Sequence, residues 1–354
     1  MKSGLELAPQ LPHYEGLIQQ GTNWVPYVMF RNNPNYRSPA VNTDSRGFRI
    51  SYAGSQQCSL ADHRPDGPVS LVLGGSTAFG FGAGSDEATL ASQLARCTGR
   101  PWLNLASNGC NSTQEVMLFL LHRHELPAVQ DIVIFSGINN LVTSGMPDPD
   151  NDYGKFFYSG DFYSKMNSYG ENGVDTSKAS VSSLPQADSV VSRLRQLIRR
   201  KPAAAAPPEP APVAERVAST TDILARDLDR LLDLAAPTGA RVHFALQPTI
   251  SWTGKPWSAE ERSLCDDPVS PMWATVWHDF LGDLATTEVH GMYARRVADL
   301  CEQRGISFID VSQLLGKSEV ADHWLFLDTC HLSDEGLSVV AEMMQNEFNL
   351  QGVR

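Results

Sequence analysis

Five short apolar runs recur along the chain, at residues 69–73, 102–105, 132–135, 242–246 and 306–309. Each is four or five residues long and soon gives way to Gly, Asn, Pro or Asp, the pattern of parallel strands buried on both faces. Helical stretches lie between them. Ser112-Thr113-Gln114-Glu115 reads as a capping box, with Ser112 as N-cap, opening a helix that continues through Val116-Met117 and Phe119-Leu120. A second helix is expected over 222–236, with Leu224, Leu228, Leu231 and Leu232 on one face and a stop at Pro237. Alternation of this kind predicts an α/β fold, an open sheet with helices on both faces and ligands bound at the carboxyl ends of the strands.

Three segments break the alternation. Residues 1–67, with "YRSPAVNTDSRGFRISY", read as an N-terminal extension packed on a core domain spanning 68–354. An insertion is expected at about 142–219, rich in Tyr and Phe (Tyr153, Phe156, Phe157, Tyr158, Phe162, Tyr163, Tyr169) and ending in a Pro/Ala-rich linker at 202–214. A second insertion, at about 251–287, carries Trp252, Trp257, Trp273 and Trp277. Both insertions follow strands, so each is a candidate lid, although aromatic residues in such numbers can equally bury themselves against the core.

Composition narrows the partners. Twenty-eight Lys and Arg against 40 Asp and Glu give a formal net charge of −12, which repels nucleic-acid backbones and anionic membrane surfaces alike. The first residues hold no apolar signal core and no long apolar span follows, so a cytoplasmic location is expected. The six cysteines (58, 97, 110, 265, 301 and 330) lack C-x-x-C spacing and read as reduced thiols; no metal or organic cofactor is expected.

The stretch "LVLGGSTAFGFGAG" from Leu71 carries the chemistry. A phosphate loop requires a lysine after its last glycine, which is missing, and the dinucleotide fingerprint is broken at 80–84. What remains is Ser76 at a sharp strand-to-loop turn, the placement a nucleophile needs. A serine requires a base, and "LDTCHLSDEG" supplies Asp328 three residues before His331, just ahead of Ser333 as the N-cap of a last helix. In a tight turn that spacing lets the carboxylate accept the Nδ1 proton and leaves Nε2 for the serine. Asp322, Asp334 and Glu335 are the rival carboxylates. "NLASNGCNS" and "VIFSGINNL" follow the second and third strands and offer the Gly109 backbone N–H and an amide side chain from Asn139-Asn140 as oxyanion donors.

This ordered set resembles the SGNH (GDSL-type) hydrolase superfamily over residues 69–348. The resemblance implies a three-layer α/β/α sandwich on a mostly parallel five-stranded, flavodoxin-like sheet. It also implies Ser76 as nucleophile, Asp328 and His331 completing a triad, and Ser76, Gly109 and Asn139 forming the oxyanion hole. The five-residue step from Asn104 to Gly109 matches the second family block. Gly75 stands where many members have Asp, and Asn140 where G-x-N-D has Asp, departures that bear on substrate rather than on the triad. "VNTDSRGFR" looks like a segment of a bacterial subgroup whose first block is "GGST".

The expected function is hydrolysis of an ester or thioester of a small metabolite or carrier-bound acyl group. An acyltransferase with an alcohol or amine acceptor is one alternative and a non-catalytic module of the same fold another. Among residues set aside, His122 and His124 point to different helix faces and are expected at the surface. His323 and Trp324 read as a packed pair, and Arg46 and Arg49 as ordinary salt-bridge partners. Cys110 and Cys330 read as small buried thiols whose nearness to Gly109 and His331 would make alkylation inhibitory if they were reactive.

Overall fold

The computed structural model describes residues 4–20, 23–145, 155–157, 211–266 and 281–350. Two helices, Gly4–Leu7 and Leu11–Gln19, open the chain. Two antiparallel hairpins follow, β1 (Asn23–Val25) with β2 (Met29–Arg31) and β3 (Ser51–Ala53) with β4 (Gln56–Cys58). The five apolar runs become β5 (Val69–Gly74), β6 (Trp102–Asn104), β7 (Val129–Ser136), β8 (Arg241–Leu246) and β9 (Ser307–Asp310). They form one sheet in the order β6-β5-β7-β8-β9, and all four pairings are parallel.

Both faces of this sheet are covered, which is why the five runs are mainly apolar, broken only by Ser70, Asn104, His243 and Ser307. Leu71, Leu73, Ile132, Ile134, Phe244 and Leu246 face one layer, packed with the helices Ser112–His122, Val213–Ala235 and Thr287–Gln303. Val72, Val133, Phe135, Ala245 and Ile309 face the other, with Leu90–Thr98, Val311–Lys317 and Asp334–Glu347. The result is an α/β/α sandwich. The order of winding reverses at β5, with β6 added on one side and β7 on the other, and such a switch point opens a crevice at the strands' carboxyl ends.

Residues 4–67 hold more regular structure than their weak periodicity suggests, because short helices and three-residue strands leave little repeat to read. They are pinned to the core by polar contacts. The fully buried Arg49 gives its Nε to Asp86 Oδ1 (2.7 Å), its Nη2 to Ala40 O (2.6 Å) and its Nη1 to Tyr14 Oη (3.0 Å). The Tyr14 hydroxyl in turn lies 2.8 Å from Ala83 O. Asn42 donates to Asp86 from both its backbone and its side chain. Ser51 donates to Trp102 O (2.5 Å), which sets the β3–β4 hairpin against the β6 edge of the sheet and shields it.

Two local expectations shift. The capping box belongs to Asn111, not Ser112: Asn111 Oδ1 accepts from Gln114 N (3.2 Å) and Gln114 Oε1 from Asn111 N (3.1 Å). Both frames satisfy the local rule. Ser112 is claimed instead by other elements, its hydroxyl donating to Asp227 Oδ2 (2.7 Å) while Asn140 Oδ1 accepts its N–H (3.0 Å). The second helix begins at Val213 rather than 222, because Thr220 and Thr221 fill buried positions that an apolar stripe would have marked. Of the insertion aromatics, Phe156 and Phe157 are buried and Trp252 and Trp257 are placed. Tyr153, Tyr158, Phe162, Tyr163, Tyr169, Trp273, Trp277 and linker residues 202–210 lie outside the described residues.

Removing one partner of a buried ion pair strands the other charge in the interior, at a cost of about 3–5 kcal/mol. Asp86→Asn should therefore lower the unfolding free energy by roughly that amount, read by denaturant melts. A loss below about 1 kcal/mol would place the Arg49 network outside the cooperative core.

Candidate active site

The four loops at the carboxyl ends of β5, β6 and β7 and before the last helix converge on Ser76. Gly74 ends β5 at φ 149°, where a Cβ would stand 2.2 Å from Phe135 O, so only glycine permits β5 and β7 to approach this closely. Ser76 then begins a single helical turn, Ser76–Phe79, whose first N–H groups have no helical carbonyl to meet.

Asp328 and His331 stand at the tip of a tight hairpin. Leu327 N donates to His331 O (2.8 Å) and Ser333 N to Leu325 O (2.9 Å), closing the turn around them. His331 Nδ1 is 2.6 Å from Asp328 Oδ2, and Nε2 is 2.7 Å from Ser76 Oγ. Burial works to raise the Asp328 carboxyl, but His331 and the N–H groups of Cys330 and His331 outweigh it and hold it below its usual range. An ionised carboxylate only accepts, so Nδ1 carries the proton and Nε2 faces the serine as an acceptor. The rivals are engaged elsewhere: Asp334 accepts from Gly84 N (2.7 Å), Glu335 pairs with His323 (2.5 Å), and Asp322 is exposed.

Asn139 lies against the same turn. Its Nδ2 donates to Cys110 O (2.7 Å), and a Cβ on Gly75 would stand 2.4 Å from Nδ2 and 3.3 Å from Cys110 O. A side chain at position 75 would therefore push the Asn139 amide away from Cys110 O. Gly109, at φ 72°, sits in the turn that ends at Cys110, with the Phe30 ring 3.0 Å and the Phe157 ring 3.5 Å from its Cβ position. Asn140 takes no part in this group. Its Nδ2 donates to Ser112 Oγ (2.7 Å), whose own proton goes to Asp227. An Asp at 140 would set two carboxylates on one hydroxyl, so the Asn140 amide suits the Asp227 carboxylate that shares Ser112.

Several supports are invisible in the motifs. Thr77 Oγ1 donates to Cys330 O (3.1 Å) and accepts from Gln247 Nε2 (2.7 Å), tying the serine turn to the histidine hairpin. Phe81 packs on the His331 ring at 4.8 Å. The buried Glu261 accepts from the N–H groups of Leu325 and Phe326 (both 3.0 Å) and from Lys255 (2.5 Å), so the described part of the second insertion braces the hairpin. Ser136 donates to Glu115 (2.5 Å) and Tyr293 to Gly137 O (2.9 Å), bracing the turn that carries Asn139. Apart from Lys255 and Glu261, these partners lie 21 to 253 positions apart, beyond any local signal.

The Asp328, Cys330 and His331 ligand atoms lie within 4.8 Å of one another, the spacing of a metal site. Burial and the Asp328 charge push the Cys330 thiol well above its usual range, so it keeps its proton and makes a poor ligand. Cys110 is pushed up to about 12, mainly by burial. Neither thiol is poised to react, and alkylation should spare both. Arg46 pairs with Glu125 (2.5 Å), His122 packs edge-on against Phe48, His124 is exposed, and Trp324 Nε1 donates to Phe326 O (2.7 Å).

The family model of GDSL-like lipases and acylhydrolases matches residues 72–338, from within β5 to within the last helix, and spans all four loops. The chain belongs to this family. Among solved structures it is similar to a lipolytic protein of the G-D-S-L family from Veillonella parvula (11% identity, TM-score 0.41, 80% of this chain and 98% of that one). It is also similar to a GDSL-like lipase from Bacteroides thetaiotaomicron (12%, TM-score 0.39, 79% and 87%) and to a lipase/acylhydrolase from Enterococcus faecalis (10%, TM-score 0.38, 81% and 99%). No curated protein sequence matches. Among the described residues no helix is long and apolar enough to cross a membrane.

Glu115 yields a pH test of the support under Asn139. Burial raises its carboxyl from 4.5 to about 8, so the folded chain holds a proton that the unfolded chain releases. Its contribution is fully present below about pH 4.5 and falls by roughly 1.4 kcal/mol per unit until about pH 8. Glu115→Gln removes that loss. The stability of the variant relative to the parent should rise steadily between pH 5 and 8 and then level; a flat difference would mean Glu115 folds ionised.

Proposed function

We propose that the chain is a serine-dependent acyl hydrolase working through an acyl-enzyme on Ser76, within the subgroup whose first block reads "GGST". The observation that carries this reading is the unbroken Asp328–His331–Ser76 chain at 2.6 and 2.7 Å. In it, His331 Nε2 takes the Ser76 proton as Oγ attacks an ester or thioester carbonyl. Asp328 stabilises the imidazolium that forms. The Ser76 and Gly109 N–H groups, with the Asn139 Nδ2 hydrogen not spent on Cys110, receive the developing oxyanion. His331 then protonates the leaving group and activates water to release the acid. The substrate is an acyl ester or thioester of a small metabolite or carrier-bound acyl group.

Transfer to an alcohol or amine is the second reading, favoured by one observation: Ser76 and His331 are 6% and 2% exposed, and Phe157 from the first insertion closes over Gly109. Excluding water lets a bound acceptor compete for the acyl group. Product analysis with and without an acceptor separates the two.

A fluorophosphonate probe should label Ser76 and no other serine, and Ser76→Ala should abolish labelling; persistent labelling would move the nucleophile elsewhere. Asp328→Asn should leave the fold intact, because the residue remains a hydrogen-bonding side chain, yet lower kcat by up to about 10⁴-fold by releasing His331 to the wrong tautomer. Near-normal turnover in that variant would reassign the orienting group.

A further inference from the structure

Gly80-Phe81-Gly82-Ala83-Gly84 fails as a dinucleotide fingerprint, yet it follows the helical turn that opens at Ser76 and lies beside the candidate triad. Gly80 and Gly82 take φ 83° and 86°, a backbone that glycine adopts without strain, and between them Phe81 is buried. Phe81 N donates to Ser76 O (2.9 Å), and its ring centroid lies 4.8 Å from that of His331 at an interplanar angle of 40°. One residue thus touches both partners of the Ser76–His331 hydrogen bond.

The loop is clamped from the N-terminal segment. The Tyr14 ring lies 4.7 Å from that of Phe81, and its hydroxyl is 3.0 Å from Gly80 O and 2.8 Å from Ala83 O. Gln10, at the start of the helix Leu11–Gln19, donates its Nε2 to Gly82 O (2.7 Å). Leu11 packs with Leu327, the residue before Asp328. Three carbonyls of the loop therefore meet side chains 66 to 72 positions earlier in the chain, and Arg49 Nη1 secures the Tyr14 hydroxyl in turn (3.0 Å).

In the resting chain the imidazole is held at both ring nitrogens, Nδ1 by Asp328 and Nε2 by Ser76. The second hold cannot outlast acylation, because Oγ then carries the acyl group and has no proton to give. The ring is left able to pivot about its Cβ–Cγ bond on the Asp328 side. A ring packed against the imidazole opposes that pivot at the stage where aim matters most. Nε2 must then take a proton from water as the water oxygen bonds to the acyl carbon, and return it to Oγ as the C–Oγ bond breaks.

We propose that Phe81 is a positioning residue that keeps His331 aimed through the acyl-enzyme stage, and that the helix Leu11–Gln19 holds Phe81 there through Tyr14. This rests on the reading of Ser76 as nucleophile and His331 as base.

With 4-nitrophenyl acetate, whose good leaving group makes acylation the faster step, the first turnover appears as a burst that counts working sites and the steady state reports deacylation. Phe81→Leu, which keeps an apolar side chain but not the flat ring, should retain the burst and its rate within about threefold while steady-state turnover per site falls about tenfold or more, and KM should fall with it. A merely structural loss would lower burst and turnover in proportion. Should Phe81→Leu fail to fold, Phe81→Met, with an unbranched side chain in the same space, should show the same imbalance. Tyr14→Leu alone should lower turnover per site about threefold or more, and added to Phe81→Leu it should cost nothing further, because both act by one route. Exchange of the His331 Nδ1 proton, read by NMR in the Ser76→Ala chain and assigned by its loss in His331→Gln, needs no turnover; Phe81→Leu should speed it about tenfold.

Turnover per site equal to the parent's, or burst and turnover that fall together, overturns the positioning role. Unchanged exchange overturns it whether or not the ester is turned over. A further loss in the double variant overturns the Tyr14 link. Faster exchange in a protein whose parent turns over no ester supports the hold of Phe81 on the ring and refutes the hydrolase reading instead.

Discussion

The hydrogen bond between Ser76 Oγ and His331 Nε2 joins residues 255 positions apart, and much of the fold serves to hold its two ends still. A contact of 2.7 Å tolerates little drift before its geometry fails. One end stands on β5, central in the sheet and buried on both faces. The other stands on a hairpin that has no sheet beneath it. Rigidity there is supplied piecemeal, by the backbone bonds closing 325–333, by Glu261 from the second insertion, by Thr77 from the serine turn and by Ser333 capping the helix that follows.

The same dependence explains the close fit at the opposite side of the site. Gly74 lets β5 and β7 approach, and Gly75 makes room for the Asn139 amide. Asn140 leaves that task and instead fixes the start of the helix at Ser112, in a hydroxyl network that ends on Asp227. A buried polar network of this kind works only when every member has its partner, so Asn140 and Asp227, on different helices, depend on each other through Ser112. The N-terminal segment belongs to this arrangement as well. Arg49 and Tyr14 anchor it to the loop after Ser76, and Phe30 carries it to Gly109.

The architecture could be read from the sequence because parallel strands buried on both faces are mainly apolar, so each of the five runs marks itself despite polar residues such as Ser70 and His243. The candidate site at the strand ends was legible for a related reason. A serine after Gly-Gly, a glycine turn, an Asn one residue beyond Gly-Ile and a D-x-x-H pair each need a particular residue type at a particular spacing. The Asn111 cap and the start of the 213–235 helix were not legible, since two capping frames satisfied the same local rule and buried threonines broke the apolar stripe.

By itself, then, the sequence determined the sheet, its helical layers, the family and the candidate site residues, because these follow from periodicity and from local spacing. Only the tertiary structure decided how the pieces meet. It gave Arg49 its buried partner Asp86, brought Glu261 and Thr77 to the histidine hairpin, and set Phe30 and Phe157 beside Gly109. Each of these is a contact between residues far apart in the chain. Burial, and with it the worth of a charge or the state of a proton, is a property of the packed molecule, and no window of sequence contains it.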